Sequence, residues 1–123
     1  FPRDVVEEYD PTTDTWRAVH PLSSPRVGLA VVAGSDSRIY VIGGYHYADG
    51  WLATVEAYDP ATDVWQSCAS LTLNRGYGAG VRAAGGALYM LGGARGSGLE
   101  YVSTVEAALF PLPIKAYLPL ILR

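Results

Sequence analysis

The chain has 123 residues, of which half are hydrophobic and 17% are charged, so it suits one compact domain and excludes a disordered linker. Its 14 glycines, eight prolines and nine tyrosines favour short strands joined by turns over helices. The net charge is −3 and the basic residues are scattered. This excludes a basic stripe for binding nucleic acid or an anionic lipid surface.

Few residues are available for a disulfide, a metal site or a membrane span. Cys68 is the only cysteine, and with His20 and His46 it provides too few ligands for structural zinc. We therefore predict no cofactor. The apolar stretch 116–122 contains Pro119 and is far shorter than the roughly 20 residues that span a bilayer.

An internal repeat is the strongest signal in the sequence. Residues 6–16 read Val-Glu-x-Tyr-Asp-Pro-x-Thr-Asp-x-Trp, and residues 55–65 repeat this pattern 49 positions later. A third copy starts at Val105 and then decays. Further landmarks share the 49-residue offset: Arg26 with Arg75, residues 39–40 with 88–89, and the glycine pair 43–44 with the pair 92–93.

Each repeat unit is predicted to form four short strands, A to D. Strand A is small and apolar, which suits a crowded inner position, and no window shows helical periodicity. Asp-Pro-x-Thr-Asp between strands C and D is a turn signal. The predicted strands are A at 27–33, B at 38–42, C near 54–58 and D around Trp65, then A at 77–84 and B at 87–91.

These landmarks resemble the kelch repeat. The glycine pair after strand B, Tyr58 in strand C and Trp65 in strand D match the family pattern, as do Tyr9 and Trp16. The resemblance extends from Val5 to about Ala108. It implies an all-β fold, namely a partial kelch-type β-propeller of four-stranded antiparallel blades.

The repeat units divide the chain into about two and a half blades. We expect strands C and D of one blade in 1–19, a full blade in 20–68, a second blade in 69–110 and a Pro/Leu-rich tail in 111–123. Propellers typically close with 4–8 blades. The chain is therefore expected to be the C-terminal part of a larger propeller, or to complete a ring by homo-oligomerisation.

Two interpretations of the tail remain open. It is either an irregular last strand D or cap, or a docking segment. Its Tyr-Leu-Pro-Leu ending resembles those of some secreted bacterial proteins, which is a slight indication of an extracytoplasmic origin.

Arg26 and Arg75 are candidate ligand-binding residues, because each immediately precedes a strand A. In kelch domains that bind acidic peptides, arginines at the matching position line the pocket, and a guanidinium can hold a carboxylate with two hydrogen bonds. The alternative is a structural role, in which both arginines bond carbonyl groups of a neighbouring blade.

The loops between strands B and C are the second candidate site. Residues 45–51 place Tyr45, Tyr47 and Trp51 close together, and exposed aromatic rings suit a protein partner or a sugar. Arg95 lies in the corresponding glycine-rich loop 92–98, which we expect to be flexible. Alternatively, Trp51 covers the edge of a blade.

The sequence offers little support for catalysis, since no catalytic triad or paired carboxylates can be assembled. We expect a non-catalytic module that binds a protein or peptide at one mouth of the propeller, with an acidic peptide as one candidate. The alternative is a piece of a secreted or periplasmic kelch enzyme, such as one related to sialic-acid epimerases, or of a carbohydrate-binding protein.

Overall fold

The computed structural model describes residues 3–108 and 117–121, which form strands and turns and contain no helix. Most strands have four or five residues, and two pairs of two-residue strands form small hairpins. In chain order the strands are β1 Val6–Asp10, β2 Thr15–Val19, β3 Ala30–Ala33, β4 Ile39–Ile42, β5 Tyr45–His46, β6 Gly50–Trp51, β7 Val55–Asp59, β8 Val64–Cys68, β9 Ala79–Arg82, β10 Leu88–Leu91, β11 Ala94–Arg95, β12 Glu100–Tyr101, β13 Thr104–Ala108 and β14 Tyr117–Ile121.

Two four-stranded antiparallel sheets form the body of the molecule. The first has the order β3-β4-β7-β8 and the second the order β9-β10-β13-β14, so both follow the predicted order A to D. The β1–β2 hairpin has the sequence of strands C and D. The predicted fold class, a partial propeller of four-stranded antiparallel blades, is confirmed.

Strand β14 occupies the D position of the second sheet. It pairs with β13 from Thr104↔Ile121 to Ala108↔Tyr117. Its central residue is Pro119, and the outer edge of a sheet tolerates proline because no further strand needs its missing N–H. The second sheet therefore continues into the segment predicted as a tail. The rest of that segment, 111–116 and 122–123, lies outside the described residues.

The turns between strands C and D show why Asp-Pro-x-Thr-Asp recurs. The Asp59 carboxylate accepts a hydrogen bond from the Ala61 N–H at 2.9 Å, and Asp63 adopts a positive φ of 56°. Aspartate tolerates this conformation better than bulkier residues do. The Tyr58 hydroxyl donates to Asp63 Oδ1 at 2.7 Å, and Tyr9 makes the same bond to Asp14. Both turns are thus fixed by their own side chains.

The hydrophobic core lies between the two four-stranded sheets, where strands A approach closely. A Cβ atom on Gly80 would lie 2.4 Å from Val32 Cγ2 and 3.3 Å from Ala30 Cβ, so only a small residue fits there. This explains the small, apolar composition of strand A. The core consists of Ala30, Val32, Tyr40, Ile42, Val55, Ala57, Leu71, Leu88 and Met90.

Cys68 lies at the end of β8 against this core, and we expect its thiol to react slowly. Burial raises the pKa of the Cys68 thiol to about 11, from an ordinary value of 9.0. Since only the thiolate is nucleophilic, the reactive fraction at pH 8 falls about 100-fold. Since a thiolate of higher pKa is also more nucleophilic, a disulfide exchange reagent at pH 8 should modify the folded chain about tenfold more slowly than a peptide of residues 64–72. Equal rates would show that this end of β8 is open to water.

Candidate functional site

The two small hairpins lie at one end of the sheets, beside the segments that lead into strands A. Hairpin β5–β6 forms a bridge from Tyr45 to Val27, and hairpin β11–β12 forms the equivalent bridge from Ala94 to Gly76. The loop that was expected to be flexible, 92–98, is therefore partly an ordered hairpin. We call the surface formed by the two hairpins and Tyr77 the hairpin face.

Arg26 lies beneath the first hairpin and is 3% exposed. Its Nη2 donates to Glu56 Oε2 at 2.9 Å, and its Nη1 donates to the Gly43 carbonyl at 3.2 Å and to Thr54 Oγ1 at 3.1 Å. The guanidinium thus ties the start of strand A to the end of strand B and to strand C of the same sheet.

Arg75 repeats this arrangement in the second sheet and is fully buried. Its Nη2 donates to Glu106 Oε2 at 2.8 Å, and its Nη1 donates to the carbonyl groups of Thr104 at 2.7 Å and Gly92 at 3.2 Å. Burial lowers the pKa of both arginines, while the facing glutamates oppose that change. Both contact sets are structural, as in the alternative interpretation, but the bonded groups belong to the arginine's own sheet and not to a neighbouring blade. A ligand-binding role for them stays a prediction.

The two glutamates differ in how completely they are bonded. Glu106 Oε1 accepts from both the N–H and the hydroxyl of Thr72, at 2.6 and 2.8 Å. Among the described residues, the Glu56 carboxylate accepts a hydrogen bond only from Arg26. It lines a cavity of about 290 Å³ together with Ser23 and Ser67. The Arg75–Glu106 pair is therefore held by more hydrogen bonds than the Arg26–Glu56 pair.

A row of aromatic rings crosses the hairpin face. The ring centroids of Tyr45 and Trp51 are 5.3 Å apart, and those of Trp51 and Tyr77 are 6.1 Å apart, both in edge-to-face geometry. Trp51 Nε1 also donates to the Gly96 carbonyl at 3.0 Å. Trp51 therefore covers the edge of the neighbouring blade, as one interpretation expected, and at the same time holds the rings of the row in place.

Tyr77 is a site residue that the sequence analysis did not identify. It has a φ of 56°, which is unfavourable for a bulky side chain, yet its side chain is largely exposed. Gly28 occupies the equivalent position one repeat earlier, with a φ of 62°, and the Tyr77 ring packs directly over it. The signal was available in the sequence, since tyrosine replaces glycine at a fixed offset where the backbone needs positive φ.

The remaining candidate residues lie on the two hairpins at different depths. Tyr47, in the β5–β6 turn, is 79% exposed. Nearby, His46 Nδ1 lies 2.6 Å from the Asp49 carboxylate. Arg95 is half-buried, and its Nε has no hydrogen-bond partner among the described residues. The structure thus brings Tyr45, Trp51 and Tyr77 together and leaves Tyr47 free for contact.

Comparison with known families decides what the repeat is. Residues 26–72, which run from Arg26 through the first sheet, match the family model "Kelch motif". Residues 26–72 form a kelch repeat. The Arg26–Glu56 and Arg75–Glu106 pairs are equivalent contacts in this repeat and in the repeat unit that follows it.

Several kelch proteins share this sequence over about one repeat. Mouse Kelch-like protein 1 is 55% identical over 42 residues and human Kelch-like protein 4 is 52% identical over 42 residues, each covering 34% of this chain. Human Kelch repeat and BTB domain-containing protein 12 is 46% identical over 50 residues, or 37% of this chain. The matched segments span only 6%, 6% and 8% of these relatives.

The fold is also similar to that of a solved structure, YjhT. The two superpose with a TM-score of 0.75 at 18% sequence identity, over 94% of this chain and 38% of the YjhT chain. At this identity the likeness concerns the fold.

The described part of the chain has neither a metal-binding cluster nor a membrane-spanning helix. In residues 3–108 and 117–121, no group of three or more histidine, cysteine, aspartate or glutamate side chains is placed to bind a metal ion. In the same ranges, no helix has the length and apolar character needed to cross a membrane.

Proposed function

We propose that this chain is a non-catalytic binding module that recognises a protein or peptide through the hairpin face. The observation that carries the proposal is Tyr77, a largely exposed tyrosine in a strained backbone conformation beside the fixed ring of Trp51. Strained residues persist where the surrounding structure holds them, and they cluster at functional sites. Tyr47, in the turn of the β5–β6 hairpin, adds a second exposed ring to the hairpin face.

Such a surface can bind without reorganising. Aromatic side chains supply a large contact area and lose little conformational entropy, and they are enriched among the residues that dominate binding energy. Trp51 is held by two rings and by the Gly96 carbonyl, so the face is formed before a partner arrives. The buried Arg26 and Arg75 make the base of this face rigid.

The charge of the partner depends on which arginines face it. The hydrogen-bonding groups of Arg26 and Arg75 are directed largely to glutamates and carbonyls, so attraction of an acidic peptide falls mainly to Arg95. We therefore expect affinity to depend on aromatic contact and to change only slightly with salt concentration.

A carbohydrate is the second candidate ligand. The exposed ring of Tyr47 can stack on a sugar, and the neighbouring His46 and Asp49 provide polar groups for sugar hydroxyls. A glycan array measured beside a peptide library separates the two candidates.

Tyr77→Gly is the variant that tests this function. Glycine relieves the positive φ and is the residue found at the equivalent position 28, so we expect stability to stay the same or to rise slightly. Affinity for a peptide selected from a display library should fall at least about tenfold, as expected for loss of a central aromatic contact. Isothermal titration calorimetry measures the affinity and urea denaturation the stability.

Trp16→Ala is the matched control. Trp16 is 66% exposed, close to the 64% of Tyr77, but it lies on β2, away from the hairpin face. If both variants bound the selected peptide as well as the unmodified chain does, the hairpin face would not be the binding surface.

A further inference from the structure

The equivalent glutamates Glu56 and Glu106 differ at their second carboxylate oxygen. Oε2 of each accepts a hydrogen bond from the arginine that precedes strand A, at 2.9 and 2.8 Å. Glu106 Oε1 is also occupied, because Thr72 donates both its N–H and its hydroxyl to it. Glu56 Oε1 has no hydrogen-bond partner among the described residues, although the Glu56 side chain is only 4% exposed. The first unit therefore leaves one oxygen of a buried carboxylate unpaired.

The segment before strand A accounts for this difference. Leu22 and its equivalent Leu71 make the same backbone hydrogen bond, each at 2.8 Å, to the carbonyl groups of Asp4 and Ala53. The two segments thus have the same anchor and diverge at the next residue. Thr72 closes on its glutamate, whereas its equivalent Ser23 is exposed and makes no hydrogen bond to Glu56.

Two cavities meet at Glu56. One has a volume of about 290 Å³ and is also lined by Asp49, and the other has a volume of about 300 Å³ and is also lined by Asp63. Ser23, Glu56 and Ser67 line both. Ser67 is the cross-strand partner of Glu56, so the two side chains lie on the same face of the sheet. We call the space lined by these five residues the Glu56 cleft.

The charges along the Glu56 cleft favour a cation. The two cavities are lined by three carboxylates, those of Asp49, Glu56 and Asp63, and by one guanidinium, that of Arg26, which is already bound to Glu56. Within residues 3–108 and 117–121, no three acidic, histidine or cysteine side chains are placed to bind a metal ion. An ammonium group needs no such cluster, because its three N–H donors are satisfied by one carboxylate and neighbouring hydroxyls.

We propose that the Glu56 cleft binds a primary alkylammonium group, carried by a small amine or by a lysine side chain. One N–H donates to Glu56 Oε1 in a charge-assisted hydrogen bond, and the hydroxyls of Ser23 and Ser67 accept from the others. The alkyl part lies against Leu52, which lines the same cavity. The site uses neither Tyr77 nor Trp51, so it is independent of the binding surface proposed above.

Butylammonium chloride is the probe, and the amide NMR shifts of Ser23 and Ser67 at pH 8 report its binding. We expect saturable shifts with a dissociation constant on the order of 1 mM. Butanol has the same alkyl chain without the charge, and butyltrimethylammonium has the charge without N–H donors. Each should bind at least about tenfold more weakly, since it lacks the charge-assisted hydrogen bond. Equal binding of all three compounds, or no saturable shift with butylammonium, would overturn the proposal.

Ser67→Leu is the variant that tests the site. It fills the cleft with an apolar side chain at an exposed position, so the fold should be kept and butylammonium should bind at least about tenfold more weakly. It is preferable to Glu56→Gln, which also removes the charged partner of the buried Arg26. Gln66→Leu is the matched control, because Gln66 is exposed and its side chain lies on the opposite face of β8. Equal losses in the two leucine variants would contradict the assignment of the site.

Hydrogen exchange of the free chain tests whether Glu56 Oε1 is open. The Thr72 amide is bonded to Glu106, so the Ser23 amide should exchange at least about tenfold faster than the Thr72 amide. A Ser23 amide as protected as that of Thr72 would show that Ser23 already closes on Glu56, and the proposal would fall. A blocked Gly-Lys-Gly peptide then identifies the source of the ammonium group. Tighter binding than butylammonium assigns a lysine side chain of a protein, and equal or weaker binding assigns a small amine.

Discussion

Replacing Arg75 by methionine is expected to lower the free energy of unfolding by about 3–5 kcal/mol. Arg75 is fully buried, and the replacement leaves the Glu106 carboxylate, which is 2% exposed, without its charged partner. It also removes the donors bound by the carbonyl groups of Gly92 and Thr104. The shift is measured as the midpoint of urea denaturation, with tryptophan fluorescence as the probe.

Two further variants show whether the loss comes from the uncompensated charge. Glu106→Leu added to Arg75→Met should recover part of the stability, because apolar groups that replace both partners leave no buried charge. Arg17→Met removes the surface pair with Glu8 and should change stability by less than about 1 kcal/mol. If Arg75→Met cost no more than Arg17→Met, Arg75 would not hold the second sheet together, and its use as a ligand residue would regain support.

The sequence predicted the strands well because the repeat fixes their register. Strands B and C were placed within one residue of the observed β4 and β7, since alternation and turn residues mark both of their ends. The first strand A was predicted three residues too long at its start, and the second two residues too long at each end. Val27 bonds to Tyr45 of the β5–β6 hairpin instead of to strand B, and Gly28 has a positive φ of 62° that interrupts the strand. Tertiary pairing of this kind leaves no periodic signal.

The two Arg–Glu ion pairs are also encoded in the repeat, although they were not predicted. Arg26 and Arg75 were recognised as equivalent, and so were Glu56 and Glu106, but the two sets were not connected. The separation within each pair is nearly constant, at 30 and 31 residues. When both members of a charge pair recur at nearly the same separation in successive repeats, the two side chains are expected to contact each other. A ligand site would require only the arginine to recur.

Gly43→Ala is expected to lower the free energy of unfolding by about 3 kcal/mol, the sum of an unfavourable φ and a steric overlap. Gly43 has a φ of 62°, and a Cβ atom there would lie 2.3 Å from the Arg75 carbonyl oxygen. That oxygen accepts a hydrogen bond from the Gly44 N–H at 2.9 Å, so neither group can move without breaking the contact between the two kelch units.

Gly50→Ala separates these two causes. Gly50 has a φ of 78°, but no atom lies within 4 Å of a Cβ atom placed there, so the variant has the backbone cost alone, about 1 kcal/mol. Urea denaturation of both variants gives the difference, which measures the closeness of the two units at the glycine pair. Equal losses would mean that the Arg75 carbonyl can withdraw from Gly43. The glycine pair would then serve the turn after strand B and not the packing of one blade on the next.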